Sequence, residues 1–193
     1  MNKKILLALP ALALLLTGCN PADDVIPPGP GPAEPTVVTF NFAGLVSDWG
    51  EIKTAENPDA LKEYLALAAG EEGDLVTGAS IVAGRLFAGD GTYGNDILKV
   101  GSGSGDARNA TFSVTVSESF TKVSVDIKSW GGTQGTELAT LSVNDLTAQT
   151  VSAVAADETP STVDFTLDAA ATTFTFATAG QARALYFSII LSN

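Results

Sequence analysis

The chain has no histidine and one cysteine among its 193 residues, and these two shortages exclude the commonest catalytic arrangements. Without histidine there is no Ser-His-Asp triad, no Cys-His pair and no His-ligated zinc or iron site. A single cysteine cannot form a disulfide within the chain, so stability must come from the burial of apolar side chains. An enzyme would depend on carboxylates alone, as glycoside hydrolases do, and the sequence sets no two acids at a recognisable separation. We therefore predict a protein that is not an enzyme.

Basic residues are also scarce, with 10 Lys and Arg against 22 Asp and Glu, which gives a net charge of −12. A chain this acidic repels phosphate backbones, so we expect no nucleic-acid partner. Apart from the N-terminal segment described next, no apolar run is long enough to span a bilayer.

The N-terminus combines a basic start with an apolar run and a short motif around the single cysteine. Lys3 and Lys4 precede the apolar residues 5–16, and the sequence Leu-Thr-Gly-Cys ends at Cys19. This order resembles the signal peptides of bacterial lipoproteins. The resemblance implies that residues 1–18 are removed, that Cys19 is acylated, and that the lipid holds the protein on a membrane of the bacterial cell envelope, outside the cytoplasm. The alternative is an ordinary signal peptide with an incidental cysteine.

Residues 19–35 are rich in proline and glycine, whose backbone properties prevent a regular core element. We interpret them as a lipidated, extended tether that carries a folded domain over residues 36–193. The bound lipid then serves as the link between this domain and the membrane.

The domain itself shows the period-two alternation of β-strands. Short alternating segments separated by turn residues predict an all-β, antiparallel β-sandwich, with residues 185–191 as a central strand. A helix is expected over about 58–69, with Asn57 as N-cap and Gly70 as its stop. Residues 80–87 are expected to hold one strand, and 101–105 a hairpin turn. The predicted core consists of Phe112, Val114, Val125, Ile127, Leu141, Val143, Phe165, Phe174, Phe176, Ile189 and either Tyr186 or Phe187.

The order of segments in residues 97–191 resembles a known family of modules. The strands at 97–102, 110–114, 120–125, 140–144 and 184–189 are similar to those of jelly-roll, galactose-binding-like modules of bacterial surface lipoproteins and secreted enzymes. This resemblance implies a β-sandwich and recognition of carbohydrate or another surface ligand. It transfers no ligand residue to this chain.

One loop has the residue types of a calcium site. Asp90, Asn95 and Asp96 offer side-chain oxygens among flexible glycines, and calcium accepts irregular oxygen cages. A structural calcium is therefore a candidate cofactor, although Asp, Asn and Gly are also ordinary turn residues.

Trp49 and Trp130 are the candidate ligand-binding residues, because each lies beside glycine at the end of a predicted element. An exposed indole can stack on the C–H face of a sugar, whereas a buried one belongs to the core. Two interpretations follow: a non-catalytic binding module that recognises a carbohydrate or another surface ligand, and a structural or antigenic surface lipoprotein without a small-molecule site. A glycosidase that uses carboxylates alone is a more distant third.

Overall fold

The structure is a computed structural model that describes residues 36–43, 45, 50–52, 59–88, 97–102, 108–130 and 137–193. It is the predicted antiparallel β-sandwich with one short helix. In chain order the elements are β1 (Val38–Asn41), β2 (Gly50–Ile52), α1 (Ala60–Ala69), β3 (Val76–Ala83), β4 (Leu86–Ala88), β5 (Leu98–Val100), β6 (Ala110–Trp130), β7 (Ala139–Val143), β8 (Gln149–Thr150), β9 (Ser161–Gly180) and β10 (Arg183–Ser192).

Two long strands, β6 and β9, pair with each other along most of their length and join the two layers of the sandwich. The second half of β6 pairs with β10, and β10 also pairs with β5 and β1. β5 in turn pairs with β4, and β4 with β2. We call this layer the first sheet. The first half of β6 pairs with β3, and the second half of β9 continues to β7 and β8. These strands form the second sheet.

The sequence alternation predicts two separate strands in place of each of these long strands, and this expectation is wrong. In β6 the buried positions change from even numbers, as at Phe112 and Val114, to odd numbers, as at Val125 and Ile127. The pairing register of β6 with β9 shifts on both sides of Phe120. A bulge adds a residue without ending a strand, so it reverses the alternation and makes one bent strand look like two in the sequence.

All the predicted core residues are buried, and of the pair left open it is Tyr186 that lies inside. Phe112 stacks on Phe176 with ring centroids 5.1 Å apart, and Tyr186 meets both rings edge-on. Phe187 is only half-buried, because it lies where the pairing of β10 with β6 shifts by one residue.

The helix forms close to its predicted range, over Ala60–Ala69, and packs against β1 and β3. The proposed N-cap, Asn57, lies outside the described residues, and Asp59 at the observed N-cap makes no capping hydrogen bond with its side chain. Gly70 ends the helix with φ +61°, as expected. Tyr64 stacks on Phe42, which follows β1, with 5.8 Å between the ring centroids, and the helix thus contacts one strand of each sheet.

Two further expectations about the middle of the chain need correction. Residues 80–87 belong to two strands, because the chain turns at Gly84, where φ is +77° and a Cβ would lie 2.3 Å from the carbonyl oxygen of Asn109. Residues 103–105 of the expected hairpin turn lie outside the described residues, and the strands on either side of that segment, β5 and β6, are not neighbours, because β10 lies between them. The expectation of a central strand at 185–191 is confirmed by the neighbours of β10 on both sides. Within the described ranges, no helix is long and apolar enough to cross a membrane.

Candidate functional site

Five of the residues singled out from the sequence lie outside the described part of the chain: Cys19, Trp49, Asp90, Asn95 and Asp96. The lipidation site and the candidate calcium loop therefore remain predictions. Among the residues that are described, no group of three or more acidic or cysteine side chains is placed to hold a metal ion. Trp130 is the one candidate whose surroundings are visible.

Trp130 is the last residue of β6 and lies half-buried on the outer side of the first sheet. Its cross-strand partner is Arg183, and the guanidinium carbon of Arg183 lies 4.4 Å from the centroid of the indole ring. The Nζ atom of Lys99 lies 5.0 Å from the same centroid. Cations at these distances are attracted to the negative face of an aromatic ring, with about 0.5–1 kcal/mol at exposed sites.

The stacking continues across the sheet toward β4. Lys99 on β5 is the cross-strand neighbour of Phe87 on β4, and its Nζ lies 4.4 Å from the centroid of that ring. Phe87, Lys99, Arg183 and Trp130 lie on the four adjacent strands β4, β5, β10 and β6, and their aromatic–cation contacts form a continuous line. We call this line the cation–aromatic strip.

A second contact of the same kind lies next to the strip. Lys128 is on the same side of β6 as Trp130, two residues away, and is only 7% exposed. Its Nζ lies 5.3 Å from the centroid of Phe187 and donates a hydrogen bond to the carbonyl oxygen of Asp157. Lys128 therefore fastens the segment around Asp157 to the first sheet.

That segment forms the wall of an open polar groove of about 460 Å³. The groove is lined by Ser152, Ala153, Asp157, Glu158, Thr159, Pro160 and Ser161. The Oδ2 atom of Asp157 accepts a hydrogen bond of 2.6 Å from the backbone N–H of Val154, which closes the turn on one side. Hydroxyl and carboxylate groups around a groove of this size can form hydrogen bonds with a polyhydroxylated ligand.

The inner side of the same strand end is fixed by Ser129, which is fully buried. Its Oγ donates to the carbonyl oxygen of Val151 at 3.0 Å and accepts from the backbone N–H of Ala139 at 2.9 Å. The backbone N–H of Ser129 donates to the carbonyl oxygen of Ala153 at 2.7 Å. These bonds hold the end of β6 against both the groove segment and β7, so Trp130 is presented by a rigid element.

Farther along β6 the outer face becomes a network of carboxylates and hydroxyls. Asp126 accepts hydrogen bonds from Thr162 at 2.7 Å and from Ser188 at 2.8 Å, and Asp164 accepts one from Ser124. Each acid is therefore held by hydroxyl donors of neighbouring strands.

The phenol of Tyr186 lies fully buried in the core, and its pKa departs clearly from its usual value. Burial raises the pKa of the phenol far above its ordinary range, and the hydrogen bond with Thr178 opposes only part of this effect. The phenol thus stays protonated inside the core at physiological pH.

The cations of the strip and its neighbour Lys128 were not identified from the sequence, although a signal was present. Lys99, Lys128 and Arg183 all occupy outward positions near one end of adjacent strands, in a chain with few basic residues. Alternation gives the face of each side chain, but the strand order that brings three separate segments together depends on contacts between distant parts of the chain.

Comparison with known proteins does not identify a family for this chain. No family model matches the chain, and no curated protein matches it. Among solved structures it is similar to a family two carbohydrate esterase from Cellvibrio japonicus, with 11% identity, a TM-score of 0.38, and coverage of 60% of this chain and 30% of that chain. The chain thus spans less than a third of the esterase, and a likeness at this level places no residue of one protein on a site of the other.

Proposed function

We propose that the protein is a lipid-anchored lipoprotein of the bacterial cell envelope whose β-sandwich binds carbohydrate without catalysis. The observation that supports the binding role is the position of Trp130, at a rigid strand end, half-buried, and part of the same sheet surface as Lys128, which braces the polar groove. An indole provides an apolar surface for sugar C–H groups, and the nearby donors and acceptors suit sugar hydroxyls.

The cations beside Trp130 define how a sugar would approach it. Arg183 and Lys99 lie against the indole ring, so a sugar would contact the part of the ring that these two side chains do not cover. A guanidinium next to an aromatic ring also donates hydrogen bonds in a fixed plane, which favours ligands with adjacent hydroxyl oxygens. The acids of the groove can accept hydrogen bonds from further hydroxyls of the same ligand.

A glycan array tests this proposal. The detergent-solubilised full chain should bind a subset of glycans, and each bound glycan is then titrated by calorimetry. Trp130→Ala should weaken that binding about tenfold, in line with the loss of an aromatic contact. Trp130→Phe keeps a ring and should retain part of the affinity.

Thr166→Ala is the matched control, because Thr166 is an exposed residue of the same sheet, far along the strands from Trp130. Its affinity should equal that of the wild type. An array without any binder would remove the carbohydrate proposal. Binding that survives Trp130→Ala unchanged, in a variant with an unchanged melting temperature, would place the ligand elsewhere.

The proposed lipid anchor rests on the sequence around Cys19 and has its own test. The wild-type chain should partition into the membrane fraction and carry the mass of acyl chains on a chain that begins at Cys19. Cys19→Ala should be recovered outside the membrane fraction or as unprocessed precursor. A wild-type chain of unmodified mass would contradict acylation.

A second function, a structural or antigenic surface lipoprotein without a small-molecule site, is favoured by one observation. The ring of Trp130 already has two cationic neighbours from the protein itself, as in a residue that braces adjacent strands. In that case Trp130→Ala should lower the melting temperature markedly, and no glycan should change the tryptophan emission.

A further inference from the structure

The outer side of the first sheet carries most of the basic residues that the structure describes. Lys99, Lys128 and Arg183 lie near one end of that sheet, and Lys122 lies toward the other end. Leu185 is the cross-strand partner of Lys99 on one side and of Lys128 on the other, so the Cα atoms of the two lysines are about 10 Å apart. Arg183 is two residues from Leu185 on the same strand. Three cations thus share a small area in a chain whose net charge is −12.

Lys128 is a buried cation whose contacts are with neutral groups. Its side chain is only 7% exposed, and its Nζ atom contacts the ring of Phe187 and the carbonyl oxygen of Asp157. The carboxylate of Asp157 instead accepts a hydrogen bond from the backbone N–H of Val154. Within the described ranges no carboxylate forms an ion pair with Lys128. A buried ammonium is stabilised by a nearby anion, so this area favours a ligand that brings a negative charge.

The acids on the same side of the sheet are engaged by hydroxyl groups. Asp126 lies farther from Trp130 along β6 than Lys128 does, and both of its carboxylate oxygens accept hydrogen bonds, from Thr162 and from Ser188. The outer side of the sheet therefore changes along β6 from a cationic area at the strip to an area of acids and hydroxyls.

We propose that the ligand of the cation–aromatic strip is an acidic sugar, whose ring carboxylate is bound by Arg183 and Lys99 with the charge of Lys128 nearby. This inference rests on the proposed carbohydrate binding and adds the chemical class of the sugar. A guanidinium presents its N–H donors in one plane and can bind both oxygens of a carboxylate at once. The hydroxyls of the same sugar remain for the polar groups of the groove.

A neutral sugar fits the strip less well than an acidic one. The guanidinium carbon of Arg183 and the Nζ atom of Lys99 lie 4.4 Å and 5.0 Å from the centroid of the Trp130 ring. A neutral sugar must therefore share the ring with two cations and gains little from their charge. An acidic sugar uses the same cations as its binding groups, so the contacts that limit access to the indole become part of the site.

Calorimetry of the detergent-solubilised full chain with matched pairs of oligosaccharides tests the inference. The acidic members are oligomers of galacturonate, glucuronate, mannuronate and guluronate. Each is paired with its methyl ester, which keeps the rings and linkages but removes the charge. At least one acidic oligomer should bind, and its methyl ester should bind at least about tenfold more weakly, because charge-assisted hydrogen bonds to the carboxylate are lost. We call the ratio of the two affinities the charge selectivity.

Substitution of the cations should reduce the charge selectivity. Lys99→Met keeps an apolar stem but removes the ammonium, and Arg183→Gln keeps donor groups without the charge. Each should weaken binding of the acidic oligomer about tenfold and change binding of the methyl ester much less. Arg183→Lys keeps the charge without the planar fork and should retain part of the selectivity. A residue with only a structural role would weaken both ligands equally.

Lys122→Met is the matched control. Lys122 is an exposed lysine on the same side of β6, far along the strand from Trp130. Its removal takes one positive charge from the molecule, as Lys99→Met does, but should leave both affinities at the wild-type values. Melting temperatures establish that each variant is folded.

The outcomes separate this inference from the proposal on which it rests. A chain that binds only neutral glycans would keep the carbohydrate proposal and overturn the acidic sugar. Equal affinities for the acidic oligomers and their methyl esters would overturn it, and so would a charge selectivity that is unchanged in both Lys99→Met and Arg183→Gln. Binding of sulfated oligosaccharides in place of uronates would overturn the choice of a carboxylate. A chain that binds no glycan at all would remove both proposals.

Discussion

Tyr186 brings a hydroxyl group into the aromatic core, where its one observed partner is the hydroxyl of Thr178 at 2.9 Å. Both residues are almost fully enclosed. The sequence predicts that one of Tyr186 and Phe187 is buried, but alternation could not decide between them because β10 is apolar on both sides. The structure shows why: the register shift at Phe187 turns its side chain toward the surface and Lys128.

The buried pair gives a prediction for a double-mutant cycle. Tyr186→Phe and Thr178→Val should each reduce the free energy of unfolding by about 1–3 kcal/mol, because each leaves one buried hydroxyl without its partner. The double variant should lose less than the sum of the two, since it removes both hydroxyls. Urea unfolding measures all four chains. Additive losses would mean that the two hydroxyls do not depend on each other.

At the scale of the element, periodicity predicts which side chains are buried but not where strands begin, bend and end. The even-numbered buried positions of β6 and the later odd-numbered ones were each predicted correctly. The bulge between them is set by pairing with β9, which is far away in the sequence. Local sequence was enough to predict Trp130 as a candidate. Its contacts with Lys99 and Arg183 could not be predicted, because they depend on the order of the strands in the sheet.

The turn at Gly84 separates β3 of the second sheet from β4 of the first, and it should tolerate no side chain. Gly84 has φ +77°, and a Cβ would lie 2.3 Å from the carbonyl oxygen of Asn109 and 2.6 Å from the side chain of Ala110. We expect Gly84→Ala to reduce the free energy of unfolding by more than about 1 kcal/mol.

Gly78→Ala is the matched control for this turn. Gly78 lies within β3, and an added Cβ would meet nothing closer than 3.6 Å, from the side chain of Thr115. Its effect on thermal unfolding should be neutral or slightly stabilising, because alanine restricts the unfolded chain more than glycine does. Equal losses for the two variants would show that the conformation at Gly84 is not the limiting feature.

Lys128 on β6 holds the loop around Asp157 against the first sheet. Removal of its charge should make the backbone of that loop more mobile. Lys128→Met keeps the apolar stem beside Phe187 but removes the donor to the carbonyl oxygen of Asp157. Backbone hydrogen exchange should therefore become faster around residues 153–160, while β6 stays protected. Lys122→Met, at an exposed position of the same strand, should leave exchange in that loop unchanged. An unchanged loop in Lys128→Met would contradict the fastening role.

At the scale of the whole molecule, the sandwich has two unlike surfaces on one core. The first sheet carries the cation–aromatic strip and the segment that lines the groove, whereas the outward side chains of the second sheet are almost all Ser, Thr or Ala. A scarcity of basic residues is visible in the composition, but their concentration on one sheet is a property of the folded chain.

Because the pKa of Tyr186 is raised in the folded domain, the free energy of unfolding of the domain should decrease at alkaline pH. In the folded domain the phenol keeps its proton, while in the unfolded chain it ionises near its ordinary pKa of about 10. Below about pH 10 both states hold the proton, so the contribution of Tyr186 to stability is complete there. As the pH rises further, only the unfolded state releases the proton, and the free energy of unfolding should fall by about 1.4 kcal/mol per pH unit. Urea unfolding at several pH values above 10 measures this slope.

Tyr186→Phe should have lower stability at neutral pH but a slope reduced by about that amount, because the group that releases the proton is gone. Equal slopes in both chains would show that other groups control alkaline unfolding.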